Sequence, residues 1–257
     1  MTWSRVVLMA GLALTAFCAP VRAETVVSEL STESVEITSS FSGERLSFFG
    51  SIGPDADADV SSLNGPYHVI IVVIGPTTDR VAREKTHNFG VWLNTEEVRF
   101  AHFPTYYQVL TSGRLNDIAS PSTQAVENFD PAGQARPNAE AGWWKSALFG
   151  RELTRLMTEQ GLFGLNEGAV KFLSPTVYTS RLTLPAAAPP GRYLARTYVL
   201  KDGVTVARNT EGFTVRKIGF ERFLAIQARQ QPLLYGLVSV LLGLLTGWLG
   251  GVLFKRN

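Results

Sequence analysis

The chain of 257 residues holds a single cysteine, Cys18, three histidines and three methionines. One cysteine cannot form an internal disulfide or a thiolate metal cage, so thiol chemistry and disulfide scaffolding are both excluded. Charge of one sign is lacking too: 24 basic residues face 22 acidic ones and charged residues make up 18% of the chain. Nucleic acid is therefore not expected as a partner. No repeat of 20 to 50 residues recurs, which excludes a solenoid or a propeller, and thirteen prolines and 23 glycines scattered along the chain exclude a coiled coil. Local catalytic signatures are missing as well. There is no Gly-x-Ser-x-Gly elbow, no glycine-rich phosphate loop, and no pair of histidines at i, i+3 or i+4. The expectation is a protein that is not an enzyme and needs no cofactor.

What the chain does have is long apolar runs, and they sit at its two ends. Met1 to Ala23 carries an early Arg5, an apolar stretch from Val6 to Pro20, and Val21-Arg22-Ala23 before a cleavage point at Glu24. This is the layout of a secretory signal peptide, about fifteen apolar residues being short for a bilayer span. Cys18 lies inside it and follows the bulky Phe17, which disfavours a lipoprotein signal. At the other end Leu233 to Phe254 is free of charge, and 22 residues at 1.5 Å each give about 33 Å, enough for a transmembrane helix. Lys255 and Arg256 follow as a stop, leaving residues 255–257 as a cytoplasmic tail. The expected topology is a bacterial inner-membrane protein with its bulk in the periplasm. Removing Arg5, Arg22, Lys255 and Arg256 from the basic residues leaves 20 against 22 acids, so the exported part is nearly neutral.

Ser34–Ser40, Arg45–Ile52, Tyr67–Ile74, Thr176–Leu184, Arg192–Leu200 and Val204–Arg216 are short and rich in β-branched and aromatic residues, bounded by Gly, Pro, Asn or Asp. Asp202-Gly203 between the last two is a strong hairpin signal. Pro190-Gly191-Arg192-Tyr193 resembles the tyrosine corner of immunoglobulin-like sandwiches. The fold expected for residues 24–215 is thus mainly β, an immunoglobulin-like β-sandwich. A helical insertion at about 114–164 is expected to pack through Trp144, Leu148, Leu153, Leu156 and Met157. Residues 216–231 carry Arg216, Lys217, Arg222 and Arg229 with one acid, Glu221, among apolar residues at helical spacing. They read as a basic amphipathic helix on membrane lipid.

Candidate sites are sparse. His68, His87 and His102 would have to converge in space to bind a metal ion, and a pocket near His87, His102 and Arg99 is the place expected for a small anion or metal serving a transporter. Asp55, Asp57 and Asp59 resemble the start of a calcium loop, but Val60 and Pro66 stand where its glycine and bidentate acid belong. Glu96 and Glu97 are adjacent and, in a strand, point apart. Phe100, Phe103, Tyr106, Tyr107 and Trp143-Trp144 are expected in the core. The sharpest signal is in the membrane segment: Ser239, Gly243, Gly247 and Gly251 are spaced by four. Such a stripe lets another helix approach closely, either a second copy or a membrane-protein partner.

Several stretches carry a family resemblance: Val35-Glu36-Ile37-Thr38 with Phe41-Ser42-Gly43, Gly90-Val91-Trp92-Leu93-Asn94, Phe103-Pro104-Thr105-Tyr106-Tyr107, Pro190-Gly191-Arg192-Tyr193, Lys217-Ile218-Gly219-Phe220-Glu221 and Gly247-Trp248-Leu249-Gly250. Together they resemble an alphaproteobacterial transmembrane protein family (Alph_Pro_TM) over nearly all of the mature chain. The resemblance implies an inner-membrane protein with a periplasmic domain and no assigned activity, hence no carried-over site residues. It also points to sulfite-exporter-type permeases as a candidate partner, by genomic association. The reading is an accessory or scaffold subunit of a membrane complex.

Overall fold

The structure is a computed structural model that describes residues 24–37, 43–54, 65–136, 142–217 and 228–253. Residues 1–23, expected as a signal peptide, the Asp55-Asp57-Asp59 stretch, Arg222 and the expected tail 255–257 lie outside the described residues. The chain is mainly β. One antiparallel sheet runs in the order β1 (Thr25–Leu30), β3 (Glu44–Gly53), β10 (Val177–Leu184), β9 (Val170–Phe172). A second runs β2 (Ser34–Ile37), β12 (Val204–Lys217), β11 (Gly191–Lys201), β4 (His68–Ile74), β7 (Tyr107–Thr111), β8 (Phe163–Asn166), with its two outermost pairs parallel.

The sequence pattern explains which strands lie where. β1 and β10 alternate buried and exposed positions, as expected for strands with one face on a core. β4, His-Val-Ile-Ile-Val-Val-Ile, is apolar after His68 and buried on both faces, and all of β7 is buried beside it. One face of these strands looks into the space shared with the first sheet. There Asn209 Nδ2 of β12 donates to Ser28 Oγ of β1 at 3.0 Å. Gly50 of β3 faces Tyr178, and a Cβ there would lie 2.1 Å from the tyrosine hydroxyl. A glycine is what makes room for that ring.

The other face of the second sheet is covered by the insertion, which comprises α1 (Leu115–Ile118), α2 (Pro121–Glu127), a single 3-10 turn (Pro131–Gln134) and α3 (Trp143–Glu159). Phe129 is fully buried edge-on against Tyr198 of β11 at 5.1 Å, and the Tyr107 hydroxyl donates to the Asn128 carbonyl. The β11–β12 turn also fixes the insertion. Asp202 and Gly203 have φ of 51° and 77°, as a two-residue hairpin of this type requires. The Gly203 carbonyl accepts from Ser120 N and Thr123 Oγ1 at the start of α2.

Two expectations are corrected. α3 does not pack through Trp144, Leu148 and Leu156, which are exposed together with Trp143. It buries Ser146, Phe149, Gly150, Thr154 and Met157, with Leu153 partly covered. Small residues let the helix approach closely: Gly150 lies against Ala135 and Phe100, and Thr154 returns its hydroxyl to the Gly150 carbonyl. The second correction is at the end of the domain. β12 runs through Lys217 and pairs in parallel with β2, Arg216 opposite Glu36 and Lys217 opposite Ile37, so both residues belong to the sheet rather than to a helix.

Two long strands remain, β5 (Thr77–Asn88) and β6 (Val91–Pro104), which among the described residues pair with each other and with no other strand. Their base is in the core: Val98, Phe100 and Phe103 are buried, Phe103 stacking on Phe163 at 5.3 Å. Lys145 of α3 reaches Glu96 at 2.8 Å. Beyond that ion pair, Val91 through Thr95 are exposed on both faces of the ribbon.

Candidate functional site: the membrane helix and the hairpin

α4 (Pro232–Leu253) is the expected membrane segment. Pro232 fits the first turn, where a missing N–H costs nothing, and Tyr235 N closes the first helical bond to Gln231 O. The twenty residues Pro232–Gly251 are long and apolar enough to cross a membrane, and none of the span is buried among the described residues. Its two aliphatic hydroxyls, Ser239 and Thr246, are satisfied internally. Ser239 Oγ donates to Tyr235 O at 2.8 Å and Thr246 Oγ1 to Leu242 O at 2.7 Å, so neither brings an unpaired donor into hydrocarbon.

The helix brings Ser239, Gly243, Gly247 and Gly251 onto one slowly winding stripe, because each step of four residues overshoots a turn by about 40°. A Cβ on Gly243, Gly247 or Gly251 would meet nothing within 4 Å. These glycines therefore serve no packing need inside the described chain, in contrast to Gly50. Gly236 and Gly250 are equally open.

The four basic residues expected at the membrane surface are not brought together on one helix. Arg216 is an exposed position of β12, Lys217 ends that strand, Arg222 lies outside the described residues, and Arg229 is exposed in the helical residues 228–230.

The three histidines do not share a site. His68 opens β4, with its Nδ1 3.5 Å from Ser112 Oγ. His87 lies near the tip of the β5–β6 hairpin, edge-on to Trp92 at 5.1 Å. His102 is at its base, ten positions along β6 from Trp92, which is about 33 Å of strand. Arg99 pairs with Val81 between them, so the expected pocket near His87, His102 and Arg99 is not assembled. Among the described residues no group of three or more His, Cys, Asp or Glu is placed to hold a metal ion. Glu96 and Glu97 do point apart: Glu96 takes Lys145 of α3, and Glu97 takes Arg83 across the hairpin at 3.3 Å.

The aromatic cluster divides. Phe100, Phe103, Tyr106 and Tyr107 are buried as expected, whereas Trp143 and Trp144 are 71% and 72% exposed. Sequence reasoning missed the hairpin tip itself, where Phe89, Val91, Trp92 and Leu93 are all exposed. The signal was present in Asn88-Phe89-Gly90, a turn between two runs that can pair, but β5 is too polar to read as a strand with a buried face.

Known proteins add little about activity. No curated protein matches the chain. Among solved structures, that of Spo0M, sporulation control protein, from Bacillus subtilis is similar over 76% of this chain and 49% of its own, with 10% identity and a TM-score of 0.24. This chain thus spans about half of that protein, and a likeness so low carries no argument. The family comparison is of a different order, since the profile described as "Putative transmembrane protein (Alph_Pro_TM)" matches residues 25–256, from the first strand through the membrane helix: the chain belongs to that family.

Proposed function

We propose that the protein is a single-pass component of a bacterial inner membrane, with its β domain in the periplasm and residues 255–257 in the cytoplasm. In this reading it is a non-catalytic accessory or scaffold subunit that works through contacts. The observation that carries it is α4: an apolar helix none of whose span is buried among the described residues. A lone span in lipid can be a plain anchor, but the open face of Ser239, Gly243, Gly247 and Gly251 suits a second helix, whose backbone could approach closely there. The partner would be a polytopic membrane protein, with a sulfite-exporter-type permease as one candidate, or a second copy. The tyrosine-corner bond of Tyr193 supports an immunoglobulin-like reading of the two sheets.

The test is crosslinking of tagged full-length protein in native membranes, with mass spectrometry of what is captured and Gly247→Leu as the comparison. Enrichment of one membrane protein that the leucine variant loses supports the subunit reading. Capture that is unchanged by Gly247→Leu, or no capture, counts against it.

A further inference from the structure

The β5–β6 hairpin ends in a feature that neither the core nor the membrane helix uses. Its two-residue turn is Phe89-Gly90, with φ of 50° and 82°. The left-handed region at the first turn position suits Asn, Asp or Gly and is unfavourable for a bulky aromatic residue. Asn88 stands one position early, and the place it would fill comfortably holds Phe89, fully exposed. Direct pairing of His87 with Trp92 and of Thr86 with Leu93 puts Trp92 on one face of the ribbon and Leu93, with Val91, on the other. The β6 side of the tip is therefore apolar on both faces and Phe89 is at its end, while the β5 partners Thr86, His87 and Asn88 are polar but carry no carboxylate. From Glu96, where Lys145 ties the ribbon to α3, to Gly90 is six residues, or about 20 Å of strand.

Charge is distributed to match. From Lys85 to Thr95 the tip carries one cation, Lys85, and no carboxylate, and the acids begin behind it at Glu84, Glu96 and Glu97. A flat protein surface could cover only one side of such a wedge. A lipid interface covers all sides at once, and its phosphates suit a single cation set back from the apolar end. The outer strand edges of a two-stranded ribbon keep their N–H and C=O groups unpaired, so the tip cannot go deep into hydrocarbon. The apolar cap from Phe89 to Leu93 is only about 7 to 10 Å long, matching the depth of the headgroup and acyl boundary. α3 runs from Lys145 beside Glu96 to Gly150 beside Phe100, so the exposed Trp143 and Trp144 stand at its tip-ward end.

From this we infer that the β5–β6 hairpin is a second membrane contact: Phe89, Val91, Trp92 and Leu93 insert into the outer boundary of a phospholipid bilayer. The inference rests on the membrane anchoring of α4. It adds that the exported domain is held down on the lipid surface rather than swinging on the tether.

The experiment uses the full-length mature protein, whose sequence after Ala23 has no cysteine. Single cysteines replace Phe89, Val126 on α2 or Leu245 in α4, each labelled with a polarity-sensitive fluorophore. The protein is then reconstituted in phosphatidylcholine–phosphatidylglycerol vesicles with and without nitroxide-bearing lipid. The expected result is blue-shifted emission and lipid quenching at 89 and 245, with neither at 126. Trp92→Ser combined with Leu93→Ser is expected to return label 89 to water-like emission while leaving label 245 quenched. Quenching at 245 with label 89 open to aqueous iodide overturns the hairpin contact and leaves the anchor intact. Loss of quenching at 245 overturns the anchor itself. A photocrosslinker at 89 that captures a protein in native membranes, with no lipid quenching in vesicles, overturns the lipid assignment in favour of a protein socket.

Discussion

The Tyr193 hydroxyl donates to the carbonyl oxygen of Pro189 at 2.7 Å, closing a loop of four residues at the start of β11. The ring is fully buried, stacked on Phe213 at 5.1 Å and edge-on to Tyr106 at 5.5 Å. One bond thus fixes both the Pro-rich turn and an aromatic cluster in the core. Tyr193→Phe keeps the ring and removes the bond, leaving a partly buried acceptor without its donor. It is expected to cost about 1 to 1.5 kcal/mol, or a fall of roughly 2 to 6 °C in melting temperature for a domain of this size. Thermal unfolding of the full-length protein in detergent checks this, and an unchanged melting temperature would mean the bond does not hold the turn.

Burial of tyrosines sets an alkaline limit on stability. Burial pushes Tyr178 up to about 12. Burial also raises Tyr106, Tyr107 and Tyr193, further still. The folded values lie above those of the unfolded chain, near 10. Below about pH 10 both states are protonated and the stability is intact. As pH rises through about 10 to 12, the unfolded state releases protons that the folded state keeps, and stability falls. The melting temperature is expected to be level from about pH 8 to 9.5 and to drop steadily above pH 10, with the phenolate absorbance of the buried tyrosines appearing only as the protein unfolds. Phenolate absorbance that develops fully before unfolding would contradict the burial.

Processing and folding meet at Glu24. Its Oε1 accepts from the Tyr67 hydroxyl at 2.9 Å and from Lys201 Nζ at 3.3 Å, and the carboxylate is only 13% exposed. Cleavage after Ala23 would make this residue the first of the mature chain and pin the new terminus beside β4 and β11. Intact-mass measurement is expected to find a chain beginning at Glu24. Glu24→Ala is expected to lower stability by about 1.5 to 3 kcal/mol, since it strips a half-buried cation of its partner. A variant as stable as the parent would show that this terminus is not held.

The physical reasons for what was legible lie in burial. β3, β4, β10, β11 and β12 have a face or both faces in the core, so their apolar patterns report them, and Asp202-Gly203 marks its turn by backbone chemistry alone. α4 is uniformly apolar because its solvent is lipid. The β5–β6 ribbon is solvated on both faces over its outer half, so its charged residues show no alternation and nothing local betrays a strand. α3 misled for a different reason: its contact face is built from Ser146, Gly150 and Thr154, small residues that a hydrophobic pattern undervalues, while Trp144 and Leu148 face outward. The glycine stripe was visible in the sequence; that it is open within the chain required the structure.

The claim on which the rest depends is that the chain straddles the inner membrane with its β domain outside. Single-cysteine labelling tests it directly, because the sequence after Ala23 holds no cysteine. Val126→Cys, at an exposed position of α2, and Asn257→Cys, at the end of the tail, are each treated in intact spheroplasts with a membrane-impermeant maleimide. The account predicts full labelling at 126 without permeabilisation and labelling at 257 only after it. Labelling at 257 with protection at 126 would place the β domain in the cytoplasm and contradict the account.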